Sequence, residues 1–309
     1  MLDLPAVWPS EDLPKQVTIR EVGARDGLQN EPMVVETGVK IEFIQRLVDA
    51  GLRVVEAASF VRPDLVPQMA DAAEVLAGLD RRPGVEYPVL VPNARGLGRA
   101  IDVGSREIGV FASATETFAR RNLNCGLAEQ MDRYAAVIHE ARAAGMRVGG
   151  YVSMCFGDPW EGSVAPAQVA SVCGELYEAG CDSISLGDTI GVATPGHVSR
   201  LVAEVRSVGI PLSAIGVHFH DTYGQALAST YEALRAGVAT VDASAGGLGG
   251  CPYAKSATGN LATEDLVWML DGLGIDTGVD LGALVATSTW LSDHLGRPSP
   301  SRVVRALSL

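Results

Sequence analysis

The sequence predicts a closed (β/α)8 barrel (TIM barrel), an α/β fold, with a C-terminal helical extension. β-rich runs alternate with helical patterns eight times, in units of roughly 25 to 35 residues, which is typical of a parallel sheet covered by helices. The turn after the first run, Gly23–Gly27, lacks the G-x-G-x-x-G pattern that an open dinucleotide-binding sheet usually has there. Both observations favour the closed barrel over an open doubly wound sheet.

Eight short runs rich in apolar and β-branched residues are predicted as strands. The first, QVTIREV, ends at Gly23, and the second, LRVVE, ends at a turn of small residues. The predicted strands are residues 16–22, 52–56, 86–91, 107–112, 147–153, 183–186, 214–220 and 240–245.

The segments between these strands place apolar residues at helical spacing, as Phe43 and Leu47 do in the first of them. Gly51 is a suitable stop for that helix, Asn93 a suitable N-cap for the third, and Pro166 a suitable first-turn residue of the fifth. The predicted helices are residues 36–50, 71–79, 93–103, 128–144, 166–179, 195–208, 224–236 and 263–271.

The domain organisation follows from these elements. We expect residues 1–275 to form the barrel as a single catalytic domain. Residues 276–309 are left over, with a helix predicted near 282–295. We expect this C-terminal extension to pack on the barrel or at a subunit contact.

Composition excludes several classes of partner. The chain of 309 residues has 24 Lys and Arg against 37 Asp and Glu, a formal net charge of −13. This acidity argues against general binding of nucleic acid or anionic lipid, although a local basic site can still bind an anionic small molecule. No run reaches the ~18 apolar residues of a membrane span. We therefore expect no nucleic-acid partner and no membrane partner.

The N-terminus and the cysteines indicate a location. Residues 1–15 have no basic start followed by an apolar run, so they do not read as a secretory signal. The five cysteines are odd in number, scattered and without a C-x-x-C pair, which fits a reducing compartment. We expect a cytoplasmic protein.

Polar residues collect where the predicted strands end, which in such barrels is the active-site face. The first strand leads to Arg25 and Asp26, the second ends at Glu56, the sixth leads to Asp188, and the seventh carries His218 and His220. The eighth runs into a glycine-rich segment, 246–250, that leads to Cys251, and Asn260 and Glu264 follow.

A divalent metal site is predicted from part of this set. Alternate residues of a strand share a face, so His218 and His220 point the same way. Asp26 would add a carboxylate and Asn260 a carbonyl oxygen, and this nitrogen and oxygen set suits Mg²⁺ or Mn²⁺ with positions open to substrate. A His-X-His pair alone is a weak signal, so the prediction depends on the barrel bringing these residues to one rim.

Two further residues suggest chemistry. Arg25 can stabilise a developing oxyanion such as an enolate, and Cys251, on a glycine-rich loop, can deliver a proton. Each feature has a structural alternative, since Asp188 can cap a helix and a Cys beside Pro is most often an inert core residue. Together they predict a metal-dependent barrel enzyme, for which retro-aldol or retro-Claisen cleavage fits, while condensation and hydration stay open.

The motifs carry a family resemblance. They are EVGARDGLQNE at 21–31, SLGDTIG at 185–191, VHFHDTYGQALA at 217–228, and the segment 245–270 with GLGGCPYA and TGNLATEDLVWML. Over about residues 17–278 the chain resembles the 3-hydroxy-3-methylglutaryl-CoA lyase family of the pyruvate-carboxyltransferase-like metallolyase barrels. The Arg-Asp-Gly and His-X-His parts are shared by that wider superfamily, whereas the GLGGCPYA loop is more specific to the lyases.

The resemblance implies an activity and a role for each candidate residue. It implies cleavage of (S)-3-hydroxy-3-methylglutaryl-CoA, an acyl-CoA, to acetoacetate and acetyl-CoA in leucine catabolism or ketone-body metabolism. The implied metal ligands are Asp26, His218 and His220, with Asn260 close by. Arg25 is expected to bind substrate and to stabilise the enolate, and Cys251 is the implied catalytic loop cysteine. Glu56 and Asp188 are implied as catalytic or supporting acids, Glu264 is expected to be catalytic in or beside the site, and Gln29 is expected to bind substrate. Asp26 and His218 both remain candidates for the general base.

Some positions depart from the family pattern. The loop 151–162 differs from the usual cysteine-containing version, Gly149 stands where an Arg is common, and Pro32 stands where a Lys is often found. These positions leave the exact acyl group open. The alternatives are a lyase or Claisen-type synthase for another 3-hydroxyacyl-CoA or 2-oxoacid, and a non-catalytic metal-binding barrel. We expect a homo-oligomer, with a dimer as the first guess.

Overall fold

The computed structural model describes residues 4–250 and 259–308 and has one parallel sheet in which successive strands are neighbours. The sheet order is β2-β1-β9-β8-β7-β6-β5-β4-β3. The strands are β1 Thr18–Glu21, β2 Val54–Val55, β3 Ala58–Ser59, β4 Val89–Leu90, β5 Glu107–Ser113, β6 Arg147–Ser153, β7 Ser183–Asp188, β8 Ile215–Phe219 and β9 Thr240–Ala243.

The sheet closes through residues 54–59, where β2 lies within the second predicted strand (52–56) and β3 lies just beyond it, so this interrupted strand extends further than predicted. β2 pairs with β1, and β3 pairs with β4. Between these pairs, Val54 forms a bridge to Glu86, and the Ala57 amide donates to the Pro88 carbonyl at 2.9 Å. The strand therefore has neighbours on both sides, and the predicted (β/α)8 barrel is confirmed.

Most of the helices cover the outside of the sheet. The helices are α1 Thr37–Asp49, α2 Ala72–Gly78, α3 Ala94–Asp102, α4 Glu116–Phe118, α5 Leu127–Ala143, α6 Pro166–Glu178, α7 Pro195–Ser207, α8 Ala226–Arg235, α9 Thr263–Gly272, α10 Leu281–Leu295 and α11 Arg302–Leu307. The predicted Asn93 cap is present, because its side chain accepts from the Gly96 amide at 3.0 Å. Short α4 and α11 were not predicted, since neither shows enough of the apolar spacing on which the helix predictions relied.

The main core lies between the sheet and this helical layer. Val110, Val152, Leu186 and Val217, one from each of β5 to β8, are fully buried. Alternation along the strands then turns their neighbours into the barrel. The interior contains polar residues where branched aliphatic side chains are usual, and these residues lead to the site described below.

The C-terminal extension contacts the barrel at the same end as the strand termini. The Asp280 carboxylate accepts from the Ala283 amide at 2.9 Å and so caps α10. Beyond α10, Arg297 pairs with the buried Glu31 in the segment after β1. The Ser301 hydroxyl donates to Asp265 on α9 at 2.7 Å. These contacts place the extension on the barrel, while the division at residue 275 stays a prediction. Within the described ranges, no helix has the length and hydropathy to cross a membrane.

Candidate active site

A cleft of about 780 Å³ opens at the carboxyl ends of the strands. Its walls combine apolar side chains with a small set of charged and polar ones, as expected of a small-molecule site. The candidate residues that line it are Arg25, Asp26, Gln29, His218 and His220. Apolar and aromatic walls come from Val61, Leu65, Leu90, Phe111, Phe118, Leu123, Tyr134 and Tyr151.

Three of the four predicted metal ligands converge. Ligand atoms of Asp26, His218 and His220 all lie within 4.8 Å of one another. The Nε2 atoms of the two histidines are 3.3 Å apart, as the alternation along β8 predicts. A carboxylate and two imidazoles at these distances can hold one divalent ion.

Asn260, the fourth predicted metal ligand, lies next to Asp26. Its Nδ2 group donates to Asp26 Oδ2 at 2.8 Å and to the Leu248 carbonyl at 2.9 Å. Among the residues that the structure describes, neither its buried Oδ1 atom nor the buried Nδ1 atom of His220 has a hydrogen-bond partner. Since buried polar atoms are normally satisfied, the free Asn260 oxygen beside these residues fits a ligand position. The residues present therefore fit a divalent cation.

A second carboxylate orients His218. Asp242 Oδ2 lies 3.3 Å from His218 Nδ1 and accepts from the Ser185 hydroxyl at 2.8 Å. Burial lowers the pKa of His218, but the hydrogen bond and charge of Asp242 outweigh it, and the pKa is raised. A proton held on Nδ1 leaves the Nε2 lone pair free for a ligand bond.

Burial and nearby charges also shift the pKa values of the other two candidate ligands, Asp26 and His220, away from their usual values. Burial raises the pKa of Asp26, but Arg25 and the two histidines outweigh it and bring the pKa to about 2. Burial and the neighbouring His218 lower the pKa of His220 to about 4. An ionised carboxylate and a neutral imidazole are the forms that bind metal.

Arg25 is fixed by two carboxylates. Its Nε atom donates to Glu56 at 2.7 Å, and its Nη1 atom donates to Asp26 at 2.7 Å. Burial raises the pKa of the fully buried Glu56, with partial relief from Arg25. Glu56 therefore holds the guanidinium in place at the cleft and does not line the cleft itself.

Gln29 lies in the cleft wall as predicted for substrate binding. Its Oε1 atom is buried and has no partner within the described part of the chain. The neighbouring Asn30 donates to the Asp26 carbonyl at 3.0 Å and so steadies this turn. The free amide oxygen of Gln29 is available to accept a hydrogen bond from a bound molecule.

Two predicted catalytic residues lie behind the cleft wall. The Asp188 carboxylate accepts from the amides of Val192 at 2.8 Å and Ala193 at 3.1 Å, and burial raises its pKa to about 7. Glu264 accepts from the Gly246 amide at 2.9 Å and from Ser288, and burial raises its pKa to about 8. These contacts indicate that Asp188 and Glu264 hold loops in place and do not contact substrate. The catalytic role predicted for Cys251 lies outside the described residues.

Asp242 and Tyr151 are the residues that the sequence reasoning missed at this site. Tyr151 was noticed only as the start of a variable loop, and Asp242 was absorbed into a strand. The sequence did contain a signal for Asp242, which is a carboxylate within the predicted strand 240–245. A carboxylate inside the barrel needs a buried partner. Finding that partner requires the strand register, in which His218 lies opposite Asp242.

Comparison with known proteins places the chain among similar sequences and structures. Residues 16–291 match a family described as HMGL-like. Hydroxymethylglutaryl-CoA lyase, mitochondrial, of Mus musculus is 53% identical over 294 residues, covering 95% of this chain and 90% of that protein. The name gives a location for the mouse protein only.

Solved structures give the same grouping. The crystal structure of hydroxymethylglutaryl-CoA lyase from Pseudomonas aeruginosa is 49% identical with a TM-score of 0.94, covering 96% of this chain and 99% of that one. An HMG-CoA lyase from Acinetobacter baumannii, in complex with coenzyme A and 3-methylmalate, is 35% identical with a TM-score of 0.91. That comparison covers 97% of each chain.

Proposed function

The chain belongs to the HMGL-like family, and we propose from this premise that it is a hydroxymethylglutaryl-CoA lyase. It cleaves (S)-3-hydroxy-3-methylglutaryl-CoA to acetoacetate and acetyl-CoA. The observation that carries this proposal is the 53% identity over 95% of the chain. The family match over residues 16–291 includes all the residues that line the cleft. The cleft supports it with a convergent carboxylate, two imidazoles and a buried guanidinium.

The divalent ion that the family implies is proposed to be Mg²⁺ or Mn²⁺. Asp26, His218 and His220 would hold it, with the free Oδ1 atom of Asn260 as a further ligand. Hard oxygen ligands and imidazole suit these ions, and no described cysteine lies in this group. When bound, such an ion supplies Lewis-acid polarisation of the substrate's hydroxyl and carbonyl oxygens.

Residues of the protein transfer the protons and stabilise the charge that develops as the C2–C3 bond of the substrate breaks. A base takes the proton from the C3 hydroxyl, and the C2–C3 bond breaks to give acetoacetate and the enolate of acetyl-CoA. Asp26 and His218 both line the cleft and are the two candidates for this base, and the choice between them stays open. Arg25, already oriented by Glu56, donates hydrogen bonds to the enolate oxygen as its charge develops.

The enolate carbon then needs a proton. We assign this donation to Cys251, which follows the glycine-rich segment that lines the cleft at Gly250. A thiol can act as a general acid and deliver a proton to a carbanionic carbon. This assignment comes from the sequence motif alone.

A second candidate is cleavage of another 3-hydroxyacyl-CoA, or synthesis in the Claisen direction. The Acinetobacter baumannii relative was solved with coenzyme A and 3-methylmalate, a ligand different from hydroxymethylglutarate. In this chain, the loop 151–162 and Pro32 also depart from the family pattern. We also propose a role in leucine catabolism, a cytoplasmic location and a homodimer. These three proposals are supported by the sequence and the family resemblance.

Substrate profiling tests the proposal. The purified enzyme with Mg²⁺ or Mn²⁺ is supplied with hydroxymethylglutaryl-CoA, with other 3-hydroxyacyl-CoAs, and with acetyl-CoA plus 2-oxoacids. The proposal expects the highest kcat/KM for hydroxymethylglutaryl-CoA. Faster cleavage of another thioester, or net release of free CoA from acetyl-CoA and a 2-oxoacid, would favour the second candidate.

A further inference from the structure

Two glycines in the barrel interior leave room that other residues fill. Gly109 on β5 and Gly149 on β6 are paired in the sheet register. A Cβ atom at Gly109 would lie 2.9 Å from Cε2 of Tyr151, and one at Gly149 would lie 3.2 Å from Nη1 of Arg20. The distance of 2.9 Å at residue 109 is shorter than a normal carbon–carbon contact. A side chain at residue 109 would therefore clash with the Tyr151 ring where it now lies.

Arg20 holds this ring from within the barrel. Its guanidinium carbon is 5.9 Å from the Tyr151 ring centroid, and its Nη1 atom donates to the Tyr151 hydroxyl at 3.4 Å. The charge of Arg20 is balanced by Glu107, at 3.4 Å from Nη2. A buried cation is retained only where it has such partners, so these contacts fix the ring and the guanidinium together.

The other part of the Tyr151 ring reaches the cleft. Tyr151 lines the cleft together with His218, and its ring centroid lies 5.9 Å from the guanidinium carbon of Arg25. Arg25 in turn is held by Glu56. Moving either the Arg25 guanidinium or the Tyr151 ring would therefore break buried contacts. A molecule whose reacting carbons lie between Arg25 and the histidines therefore has the Tyr151 ring as an apolar wall.

We propose that Tyr151, held by Arg20 and admitted by Gly109, is the residue that sets the size of the C3 substituent this enzyme accepts. The inference rests on the proposed function, because it concerns the same substrate at the same site. A methyl group on C3 fits against a fixed ring, whereas a longer alkyl group would meet it. The role is one of selectivity, since the ring carries no group that the bond cleavage requires.

The test is a selectivity ratio measured on the metal-loaded enzyme. The kcat/KM for hydroxymethylglutaryl-CoA is divided by that for its C3-ethyl analogue, in wild type, Tyr151→Phe and Tyr151→Ala. One methylene in an apolar pocket changes kcat/KM by about 10-fold to 200-fold, so wild type should prefer the methyl substrate by at least about tenfold. Tyr151→Phe keeps the ring and should keep the ratio, whereas Tyr151→Ala should lower it by about tenfold or more.

Controls separate the possible failures. Gly109→Ala, which pushes the ring, should disfavour the ethyl analogue further. If Tyr151→Ala does not fold, as judged by its melting transition, Tyr151→Leu replaces it. A ratio that stays constant while both rates fall would overturn the inference and leave the proposed function intact. No acetoacetate from wild-type enzyme would overturn the proposed function itself.

Discussion

The Nε2 atoms of His218 and His220 face each other at 3.3 Å on one side of β8. Two protonated nitrogens would repel each other at this distance, so at most one of the two can carry a proton there. Asp242 favours a proton on the opposite nitrogen of His218. The arrangement therefore presents lone pairs to a shared position, with Asp26 beside it.

Metal binding should stabilise the wild-type protein and fail in ligand variants. A ligand that binds only the folded state at 100 times its Kd adds about 2.7 kcal/mol to the free energy of unfolding. Saturating Mn²⁺ should therefore raise the melting temperature of wild type but not of His220→Ala or Asp26→Asn. The exposed His139→Ala is the matched control and should keep the full shift. Wild-type Mn²⁺ affinity in Asp26→Asn, measured by titration calorimetry, would refute its assignment as a ligand.

Arg25→Gln should damage both stability and turnover. It leaves Glu56 buried and unpaired, and breaking a buried ion pair typically costs about 3 to 5 kcal/mol. The kcat should also fall by about 10²-fold to 10³-fold, because a donor to the developing oxyanion is lost. Denaturant unfolding and steady-state kinetics measure the two effects.

The double variant Arg25→Gln with Glu56→Gln separates these effects. It removes the unpaired charge, so it should recover much of the stability while kcat stays low. If instead only KM rises in Arg25→Gln, the guanidinium binds the ground state and does not act on the enolate.

Glu264 should make the stability of the fold depend on pH. Burial raises its pKa from 4.5 to about 8. Below the unfolded pKa, both states carry the proton; between that value and about 8, the unfolded chain releases it while the folded chain keeps it. Its contribution to stability is therefore fully present at low pH and is lost as the pH rises through this window.

Glu264→Gln should weaken that pH dependence, because glutamine does not ionise. The urea midpoint is measured at about pH 5 and about pH 8 for both proteins. The difference between the two midpoints should be smaller in Glu264→Gln than in wild type. Glu74→Gln, at an exposed position, is the control for removing one acidic side chain. An unchanged difference in Glu264→Gln would show that this carboxyl does not titrate in the window.

Asp188→Asn should act mainly through the loop after β7. An asparagine keeps one acceptor oxygen and turns an NH2 group toward one of the two amides that Asp188 now serves, at Val192 and Ala193. Leaving one buried donor unsatisfied costs about 1 to 3 kcal/mol, which a lower melting temperature would report. A large fall in kcat at an unchanged melting temperature would instead place Asp188 in the chemistry.

Cys251→Ser should lower kcat severely while Mn²⁺ affinity stays at the wild-type value, because the thiol is assigned to proton delivery and not to the metal. Cys181→Ala is the matched control, since that thiol is buried beside Gly150 and α6, away from the cleft. Near-normal kcat in Cys251→Ser would remove the cysteine from the proposed mechanism.

Much of the molecule was predictable because its signals are local. The alternation of strands and helices follows from apolar spacing, and the barrel rule then brought Asp26 and the two histidines together from positions nearly 200 residues apart. The pairing of Arg25 with Glu56 was not predicted, although both residues were selected. It depends on side-chain directions across neighbouring strands, which the sequence alone does not provide.

The barrel interior was the least predictable part. Arg20 and Asp242 are register partners on β1 and β9, yet each lies in a run that reads as an ordinary strand. Gly109 gave no useful signal, since glycine in a strand indicates only a close approach of some kind, and Gly149 was noted only as a departure from the family pattern. The groups that approach, the Tyr151 ring and the Arg20 guanidinium, are known only once the sheet is closed.

The most direct measurement of the proposed function uses chelator-treated protein and 3-hydroxy-3-methylglutaryl-CoA. Acetoacetate and acetyl-CoA are quantified with and without added Mg²⁺ or Mn²⁺, with Asp26→Asn as the parallel sample. The proposal predicts equal amounts of both products from wild type, only when metal is added, and little or none from the variant. A folded wild-type protein that binds metal but forms neither product would contradict it.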